Sequence, residues 1–515
     1  MKKIICLLLS VVTAFSMASM AACGGKSDGG ANVIEINYWK AGLGDVYFES
    51  VISEFKKAYP EYSVQLNKFA GNDFGTNFAK NVPTGPKYNT VDLYFGPDMD
   101  IGYNQYLEPL NSVLEQVNTG ETKKVGEKID AVLLENAKNA DGYYYTLPYG
   151  GGVCGIVYNN TLMQEVLSSS GLNMPKTTNE LRNLASAIDQ KYGGQRKAFI
   201  HFLGGYWVYI QDVWQAQYDG VDKYNEFYRL GAPLNTIGTP NETPDKNILL
   251  EEDGRLEVLK VFESILNSQF VAPDSNTDDL AASQVNFLSG DAVMMVNGAW
   301  FINETKGMNA AYNDFRLMKT PVISSIIKKC DTIDDDGTLS AVISAIDAGA
   351  SSYAGVNAED FERVKAARNL IWQVFSQHSA CVPNYATAKE GAKKFVQFYY
   401  SDIAQKIFSD TVHIALPFTF DNEANKPDIS GWSNYEKDAY GYSTTMTMLG
   451  VANGRRSSLF TKGGLFNYPS LNGETIVYLI SRPTEPKTAN YIWGEMKNLY
   501  ERNWNSYMSR AGLAG

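Results

Sequence analysis

The sequence predicts an α/β protein in which parallel strands alternate with helices. A β-branched, alternating run at 33–39 is followed by a helical period at 46–59, and a strand, a helix and a further strand then follow over 63–95. This order is typical of parallel sheets with right-handed crossover helices. The 515-residue chain is 44% apolar and 20% charged, a composition that indicates a globular protein with a large core.

The N-terminus predicts a secretion signal over residues 1–22. Two lysines precede an apolar run at 4–15 that ends in small residues, and this run is too short to cross a bilayer. Cys23 follows two alanines, which resembles the lipobox of bacterial lipoproteins and implies a lipid on Cys23. The alternative is an ordinary cleaved signal with a chance cysteine. Residues 23–31 are rich in glycine and predict a flexible tether.

In the first half of the body, the elements follow in a regular order. After the strand at 33–39, helices are predicted at 46–59 and 74–81, with strands at 63–66 and 91–95. Ligands collect at the carboxyl ends of parallel strands, so the loops that follow the strands at 33–39 and 91–95 are the expected place for a site.

Further along, a glycine triplet and several amphipathic helices stand out. Strand-like runs at 143–149 and 155–158 flank Gly150–Gly152, which predicts a tight turn or a close approach to the backbone. Helices are predicted at 253–267, 359–376 and 384–409, and the stretch 425–469 is predicted to be rich in loops.

Charge and cysteine content exclude several classes of function. The chain carries 57 acidic and 45 basic residues, for a formal charge of −12, and no Lys/Arg-rich run, so no nucleic-acid partner is expected. Besides Cys6 and Cys23, three cysteines remain: Cys154, Cys330 and Cys381. They lie in no metal-ligand spacing, and Cys154 and Cys381 are expected to be buried.

Motifs for catalysis and for cation binding are incomplete. The three histidines are too scattered in the sequence for a recognisable triad or zinc motif. The acidic run 334–336 with Gly337 resembles part of a calcium loop, but it places Thr332 and Ile343 where acidic ligands are required. We therefore expect no metal, no cofactor and no enzymatic activity.

Eight segments match one family pattern in order through nearly the whole chain. They are 36–39 with 55–60, 91–93, 106–110, 141–149, 155–159, 175–181, 287–300 and 392–399. Behind a lipobox, these segments resemble the family 1 extracellular solute-binding proteins of carbohydrate ABC transporters, which include maltose-binding protein.

The resemblance implies a two-lobe, periplasmic-binding-protein-like (type II) α/β fold. Each lobe would be a mixed, mainly parallel sheet flanked by helices, with a ligand cleft between the lobes and hinge closure around it. The expected division is 32–148 plus about 384–422 for lobe 1, and about 149–383 plus 423–515 for lobe 2. The length beyond the usual family size is assigned to the loops 205–250, 325–360 and 425–470.

Aromatic residues are the first candidates for ligand contact. Burying about 100 Å² of the apolar face of a sugar against a Trp ring contributes about 2 kcal/mol. The resemblance aligns Trp300 with a Gly-x-Trp whose ring stacks on ligand, and core packing is the alternative. Trp39 ends the first strand, where stacking and packing remain open. Tyr206 and Trp207 correspond loosely to an aromatic segment that contacts ligand in the family.

Polar and backbone positions complete the candidate set. Asp45 and Asp98 lie in the two strand-end loops and could accept hydrogen bonds from sugar hydroxyls, with a solvated loop acid as the alternative. Tyr149 and Gly150 lie at the first expected crossover between lobes and should face the cleft.

The function that the resemblance implies is a receptor on the extracellular face of the cytoplasmic membrane, anchored by lipid at Cys23. It would capture a carbohydrate, an oligosaccharide in particular, and deliver it to ABC transporter permease subunits, acting as a monomer. Two alternatives remain open: an extracellular glycoside hydrolase, which needs two carboxylates across the scissile bond, and a binding protein for a non-sugar solute.

Overall fold

The structure, a computed structural model, covers most of the body of the chain. The predicted signal peptide, Cys23 and nearly all of the tether lie outside the described residues. The described residues are 30–513 except for 70, 72, 98–102, 140, 204, 374–377, 451–454, 466–470 and 472.

Eleven strands are present in the described part of the chain. In chain order they are β1 (Val33–Trp39), β2 (Ser63–Phe69), β3 (Leu93–Pro97), β4 (Leu147–Pro148), β5 (Val153–Asn159), β6 (Lys197–Ile200), β7 (Ala292–Gly298), β8 (Phe315–Met318), β9 (Leu370–Gln373), β10 (His378–Cys381) and β11 (Thr447–Leu449).

The strands form two sheets. The first has the order β2-β1-β3-β10-β4, in which β1 pairs in parallel with β2 and β3, and β10 is antiparallel to β3 and β4. The second has the order β11-β9-β5-β7-β6, with β8 paired to β5. In it, β6 and β7 are parallel, as are β9 and β11, and β5 runs antiparallel to its neighbours. The predicted α/β class with two mixed sheets is confirmed, but neither sheet is mainly parallel, because β10 and β5 each pair antiparallel with all of their neighbours.

Helices flank the strands. Those of the first half are Val46–Ala58, Asp73–Asn81, Asn111–Leu114, Val125–Lys128, Ala131–Ala137, Asn160–Ser170, Thr178–Tyr192, Trp207–Asp219, Val221–Arg229, Asn247–Leu250 and Asp253–Ile265. Those of the second half are Leu280–Ser289, Phe301–Thr305, Asp336–Asp347, Ala358–Arg368, Lys389–Tyr399, Asp402–Val412, Asn434–Thr445, Ser458–Thr461, Ile476–Ser481 and Ala489–Ala511. Among the described residues, no helix is long and apolar enough to span a bilayer.

The local sequence explains where many of these helices and strands begin and how far their residues are buried. The helix Thr178–Tyr192 begins at a capping box, in which the Thr177 hydroxyl accepts from the Glu180 backbone and the Glu180 carboxylate accepts from Thr177. Every residue of β5 and β7 is buried, which is the reason that both read as continuous apolar runs rather than alternating ones.

Several predicted elements differ from the structure. The helix predicted at 359–376 ends at Arg368, and Leu370–Gln373 forms β9, because β-branched and aromatic residues there pair with β5 and β11. The helix predicted at 384–409 is two helices, the second capped by Ser401. Of the strand predicted at 143–149, only β4 pairs.

The stretch predicted as loops at 425–469 also contains regular structure. It holds the helix Asn434–Thr445, which packs against β8, where Asp438 accepts from Arg316 Nε and Nη2 at 2.6 and 2.7 Å. The capping box at Ser433 and Glu436 was the local signal for this helix.

The expected lobe boundaries remain a prediction, with one difference in the strands. The chain was expected to return to lobe 1 near Pro383, but β10 at His378–Cys381 already belongs to the first sheet. It does so because its backbone fills the space between β3 and β4 in an antiparallel ladder.

Candidate functional site

A cleft of about 710 Å³ lies between the two sheets and their helices. From the side of the first sheet, its lining includes Trp39, Leu43, Asp45, Tyr47, His378 and Thr411. From the side of the second sheet, it includes Tyr206, Tyr209, Trp300, Asn303, Glu304 and Lys306. The volume is within the range of small-molecule sites, and the loop after β1 lines the cleft as its strand-end position predicts.

Trp300 lies in the cleft wall directly after β7. Its indole covers Gly298, where an added Cβ would come within 2.4 Å of the ring, so the glycine is required by the close approach of the ring. The side chain is 8% exposed and meets the Tyr206 ring edge-on at 5.9 Å between centroids. Trp300 therefore lines the cleft while most of its ring packs on the protein.

Trp39 lies on the opposite wall, at the end of β1. Its half-buried ring stacks on His378 with centroids 5.1 Å apart and planes 22° apart. The Tyr149 hydroxyl donates to the Trp39 carbonyl at 3.3 Å from beneath. Burial raises the pKa of Tyr149 well above its usual value, so the hydroxyl stays protonated as a donor. Trp39 is thus held from two sides and lines the cleft.

The first crossover supports the cleft rather than contributing its predicted contacts. Tyr149 is fully buried under Trp39 and does not line the cleft. Gly150 is buried against Leu43, and it is the next glycine, Gly151, that lines the cleft. The prediction that Tyr149 and Gly150 face the cleft therefore differs from the structure, because the Tyr149 ring packs in the core against Phe95 and Tyr399.

Asp45 lines the cleft but is already paired. Its carboxylate forms an ion pair with Lys68 at 3.0 Å, and this hydrogen bond lowers the pKa of Asp45. A sugar hydroxyl would have to share the carboxylate with Lys68. The other predicted acid, Asp98, lies outside the described residues.

Trp207 is a core residue, which differs from its predicted role in ligand contact. It is fully buried, with the rings of Phe199 and Phe262 edge-on at 5.5 and 5.7 Å. It begins the helix Trp207–Asp219 on the same inward face as Ile210 and Trp214. Tyr206, one residue earlier, lies outside that face and lines the cleft.

Several cleft residues were not predicted from the sequence, among them Tyr209, His378 and Glu304. The Tyr206 and Tyr209 rings stack at 5.4 Å and 21°, and Tyr209 stacks in turn on Trp372 at 5.4 Å and 18°. The three-residue spacing of the two tyrosines at a helix start was the available signal. His378 and Glu304 gave none, because only the fold brings β10 and the helix Phe301–Thr305 to one cleft.

Glu304 is the most deeply placed acid of the cleft. Its Oε2 accepts from Gln284 Nε2 at 2.7 Å, and Gln284 is 2% exposed on the neighbouring helix. Burial raises the pKa of Glu304 to about 7, and the Gln284 hydrogen bond offsets only part of that rise. The carboxyl is therefore divided between its neutral and ionised forms near neutral pH.

The arrangement is suited to binding a polyhydroxylated molecule. Aromatic faces stand on both walls, and carboxyl, amide and imidazole groups lie between them. Within the described ranges, no group of three or more His, Cys, Asp or Glu residues could hold a metal ion. Cys154 and Cys381 are buried, as predicted.

The chain is similar to known proteins in family and in fold. A family model described as "Bacterial extracellular solute-binding protein" matches residues 50–436, well over half of the chain. GacH of Streptomyces glaucescens is 14% identical, with a TM-score of 0.53, and the match covers 91% of this chain and 97% of GacH. RafE of Streptococcus pneumoniae is 14% identical, with a TM-score of 0.55 and coverage of 94% and 99%.

A third similar structure is maltose-bound MalE3 of T. maritima. It is 11% identical, with a TM-score of 0.53, and the match covers 91% of this chain and 99% of that one. At these identities the likeness concerns the fold, and in each case it extends over nearly the full length of both chains.

Proposed function

This chain belongs to the bacterial extracellular solute-binding protein family, and on that basis we propose that it is a lipid-anchored receptor for a carbohydrate. It captures an oligosaccharide in the cleft by hinge closure and delivers it to the permease of an ABC transporter. It acts as a monomer on the outer face of the cytoplasmic membrane, held by a lipid at Cys23.

The observation that carries the proposal is the pair of aromatic walls. Trp39 belongs to the first sheet, whereas Trp300 and Tyr206 belong to the segments around the second, and all three line one cleft of about 710 Å³. A sugar has apolar C–H faces that pack on such rings and hydroxyls that need partners when buried. A ligand can contact both walls at once only when the cleft is closed, so these contacts favour the closed state.

Similar structures support a sugar as the cargo. GacH has been solved in complex with acarbose, RafE in complex with raffinose, and MalE3 with maltose bound. The family consists of substrate-binding receptors rather than enzymes, so the cargo is expected to be released intact. Of the predicted contacts, Trp300, Trp39, Tyr206 and Asp45 are kept in this proposal.

The test is a thermal-shift screen of the mature chain carrying Cys23→Ser, which prevents lipidation. The screen covers mono- and oligosaccharides together with amino acids, peptides and polyamines. A ligand that binds only the folded state stabilises it by about 2.7 kcal/mol at a hundredfold excess over Kd, which gives a clear rise in Tm.

A rise in Tm with one class of sugar, and chromatographic recovery of that sugar uncleaved, is the expected result. A rise in Tm with a non-sugar solute alone would mean that the cargo is that solute, and the role as a receptor would stand. Cleavage of the sugar would contradict the proposal and favour the glycoside hydrolase.

A further inference from the structure

Glu304 occupies a position in the cleft that is set by Trp300. Its backbone N–H donates to the Trp300 carbonyl at 3.0 Å, so the two residues are one helical turn apart. Side chains four residues apart lie on the same face of a helix, and both side chains line the cleft. A ligand that packs on the Trp300 ring therefore lies beside the Glu304 carboxyl.

The two oxygens of this carboxyl have different surroundings. Oε2 accepts the hydrogen bond from the buried Gln284, which fixes the orientation of the group. Oε1 points toward the loop after β1, where a Cβ added to Gly42 would lie 3.0 Å from it. In the described part of the chain, no protein group donates to Oε1. This oxygen is thus open to a donor that enters between the two walls.

The charged neighbours of Glu304 do not neutralise it. The titratable side chains that line the cleft with it or lie beneath it are Lys40, Asp45, Tyr47, Cys154, Tyr206, Tyr209, Lys306, His378 and Tyr435. None of the described cations forms an ion pair with Glu304, and the carboxylate of Asp45 is held by Lys68. The ionised form of Glu304 therefore lacks a compensating charge in the absence of ligand.

On the premise that the cleft takes a sugar, we propose that ionised Glu304 is a specificity-determining acceptor for ligand hydroxyls and that sugar binding releases its proton. Glu304 would select sugars that carry a free hydroxyl at the edge of the sugar ring, where that ring packs on the Trp300 indole. The carboxylate oxygen Oε1 accepts a hydrogen bond from the sugar hydroxyl, and the proton of neutral Glu304 passes to solvent. Hydrogen bonds to a charged acceptor are stronger than those to a neutral one.

The consequence is a binding affinity that depends on pH. Hydroxyl donors stabilise the carboxylate and so lower the pKa of Glu304 in the complex below its value of about 7 in the free protein. Ligand then favours the deprotonated form, and affinity rises as pH increases through 7. A fall of the pKa by two units or more gives a rise of about tenfold between pH 6 and pH 8.

The experiment is isothermal titration calorimetry with the sugar identified by the thermal-shift screen. Titrations of the mature chain at pH 6, 7 and 8, in pairs of buffers with different ionisation enthalpies, report both affinity and protons released. We expect about a tenfold gain from pH 6 to pH 8 and about half a proton released at pH 7.

Two variants isolate the carboxyl. Glu304→Gln still offers Gln284 an acceptor, so the fold is expected to be retained. We expect the affinity of this variant for the sugar to be at least fivefold lower at pH 8 and to be the same at pH 6, 7 and 8. His378→Gln replaces the one imidazole among the described residues that line the cleft, and it is expected to keep the rise of affinity with pH.

The outcomes separate this role from the proposed function. The role of Glu304 is overturned if the parent chain binds the sugar with equal affinity at pH 6 and pH 8, or if the affinity of Glu304→Gln still rises with pH. Neither result contradicts the proposed function. If no sugar binds at any pH, the proposed function is itself wrong, and the role of Glu304 is overturned with it.

Discussion

Trp300 and Trp207 both stand at the start of a helix and both contact other aromatic rings, yet only Trp300 lines the cleft. Trp300 follows a strand and keeps one edge toward the cleft, whereas Trp207 is turned inward by the period of its helix. The Tyr206 ring connects the two environments, since it precedes Trp207 in the chain and contacts Trp300 in space. Whether a tryptophan lines the cleft or the core therefore depends on the direction in which its side chain points, and not on the residue type.

The first prediction concerns Trp300. In Trp300→Ala, the apolar face offered to the sugar is lost, and burial of about 100 Å² is worth about 2 kcal/mol. We expect affinity for the sugar to fall more than tenfold, measured by calorimetry, while circular dichroism shows the native fold. An unchanged affinity would mean that Trp300 serves packing alone.

Trp207 gives the opposite expectation. Trp207→Ala leaves a cavity among buried aromatic rings and is expected to lower the free energy of unfolding by about 3–5 kcal/mol. Because the residue does not line the cleft, the fraction that remains folded should bind sugar with the affinity of the parent chain. Denaturant unfolding and calorimetry on the same preparation separate the two effects.

At the scale of elements, a buried ion pair joins two helix ends and the segment beyond them. Lys128 is fully buried and contacts Glu121 at 2.6 Å and Asp402 at 2.8 Å. Asp402 also accepts from the backbone of Asp421 and Asn422 at 2.9 Å. The start of the helix Asp402–Val412 and the segment after Phe420 are therefore tied to the helix Val125–Lys128.

Breaking this pair should be costly. Lys128→Ala leaves Asp402 buried without its cation, and we expect a loss of about 3–5 kcal/mol in the free energy of unfolding. The matched control is Lys124→Ala, whose ion pair with Glu115 at 2.6 Å is largely exposed, and whose expected loss is below about 1 kcal/mol. Equal losses in the two variants, by urea unfolding, would contradict the assignment.

Acid should act on the same cluster. Burial alone would raise the pKa of Asp402, but the Lys128 ammonium and the other donors outweigh it and lower the pKa to about 2. A carboxyl with a lowered pKa stabilises the fold above its unfolded pKa of about 4, and this contribution is lost as pH falls toward 2. Acid unfolding followed by fluorescence should begin at higher pH in Lys128→Ala than in the parent chain.

At the scale of the whole molecule, the segment 455–458 links the two sides of the cleft. Ser457 and Ser458 donate to the buried carboxylate of Glu242, and the Arg456 guanidinium lies 4.9 Å from the Tyr228 ring centre, which anchors the segment beside the second sheet. Arg455 instead donates to Glu135 at 2.5 Å, on a helix beside the first sheet. This ion pair joins the two bodies outside the cleft.

We expect the Arg455 pair to favour the closed arrangement. Arg455→Met should raise the radius of gyration of the ligand-free chain in small-angle X-ray scattering and lower affinity by up to about fivefold, since exposed pairs contribute at most about 1 kcal/mol. Arg456→Met, which alters a contact within one body, is the control and should leave the radius unchanged. The same radius in both variants would show that the pair does not bias closure.

The sequence by itself determined the α/β class, the parallel pairing of β1 with β2 and β3, the burial of Cys154 and Cys381, and the family. These follow from local periodicity and from ordered short segments, which the chain carries without reference to its fold. It also indicated Trp300 and the loop after β1 as parts of the site, and both line the cleft in the structure.

Only the tertiary structure decided which polar groups share the cleft and which aromatic rings face it. Glu304 and His378 come from distant segments, and Leu370–Gln373 became a strand because partner strands were available on both sides. Trp207 and Tyr149 were turned into the core by their neighbours. Such outcomes depend on contacts between residues far apart in sequence, which local pattern does not encode.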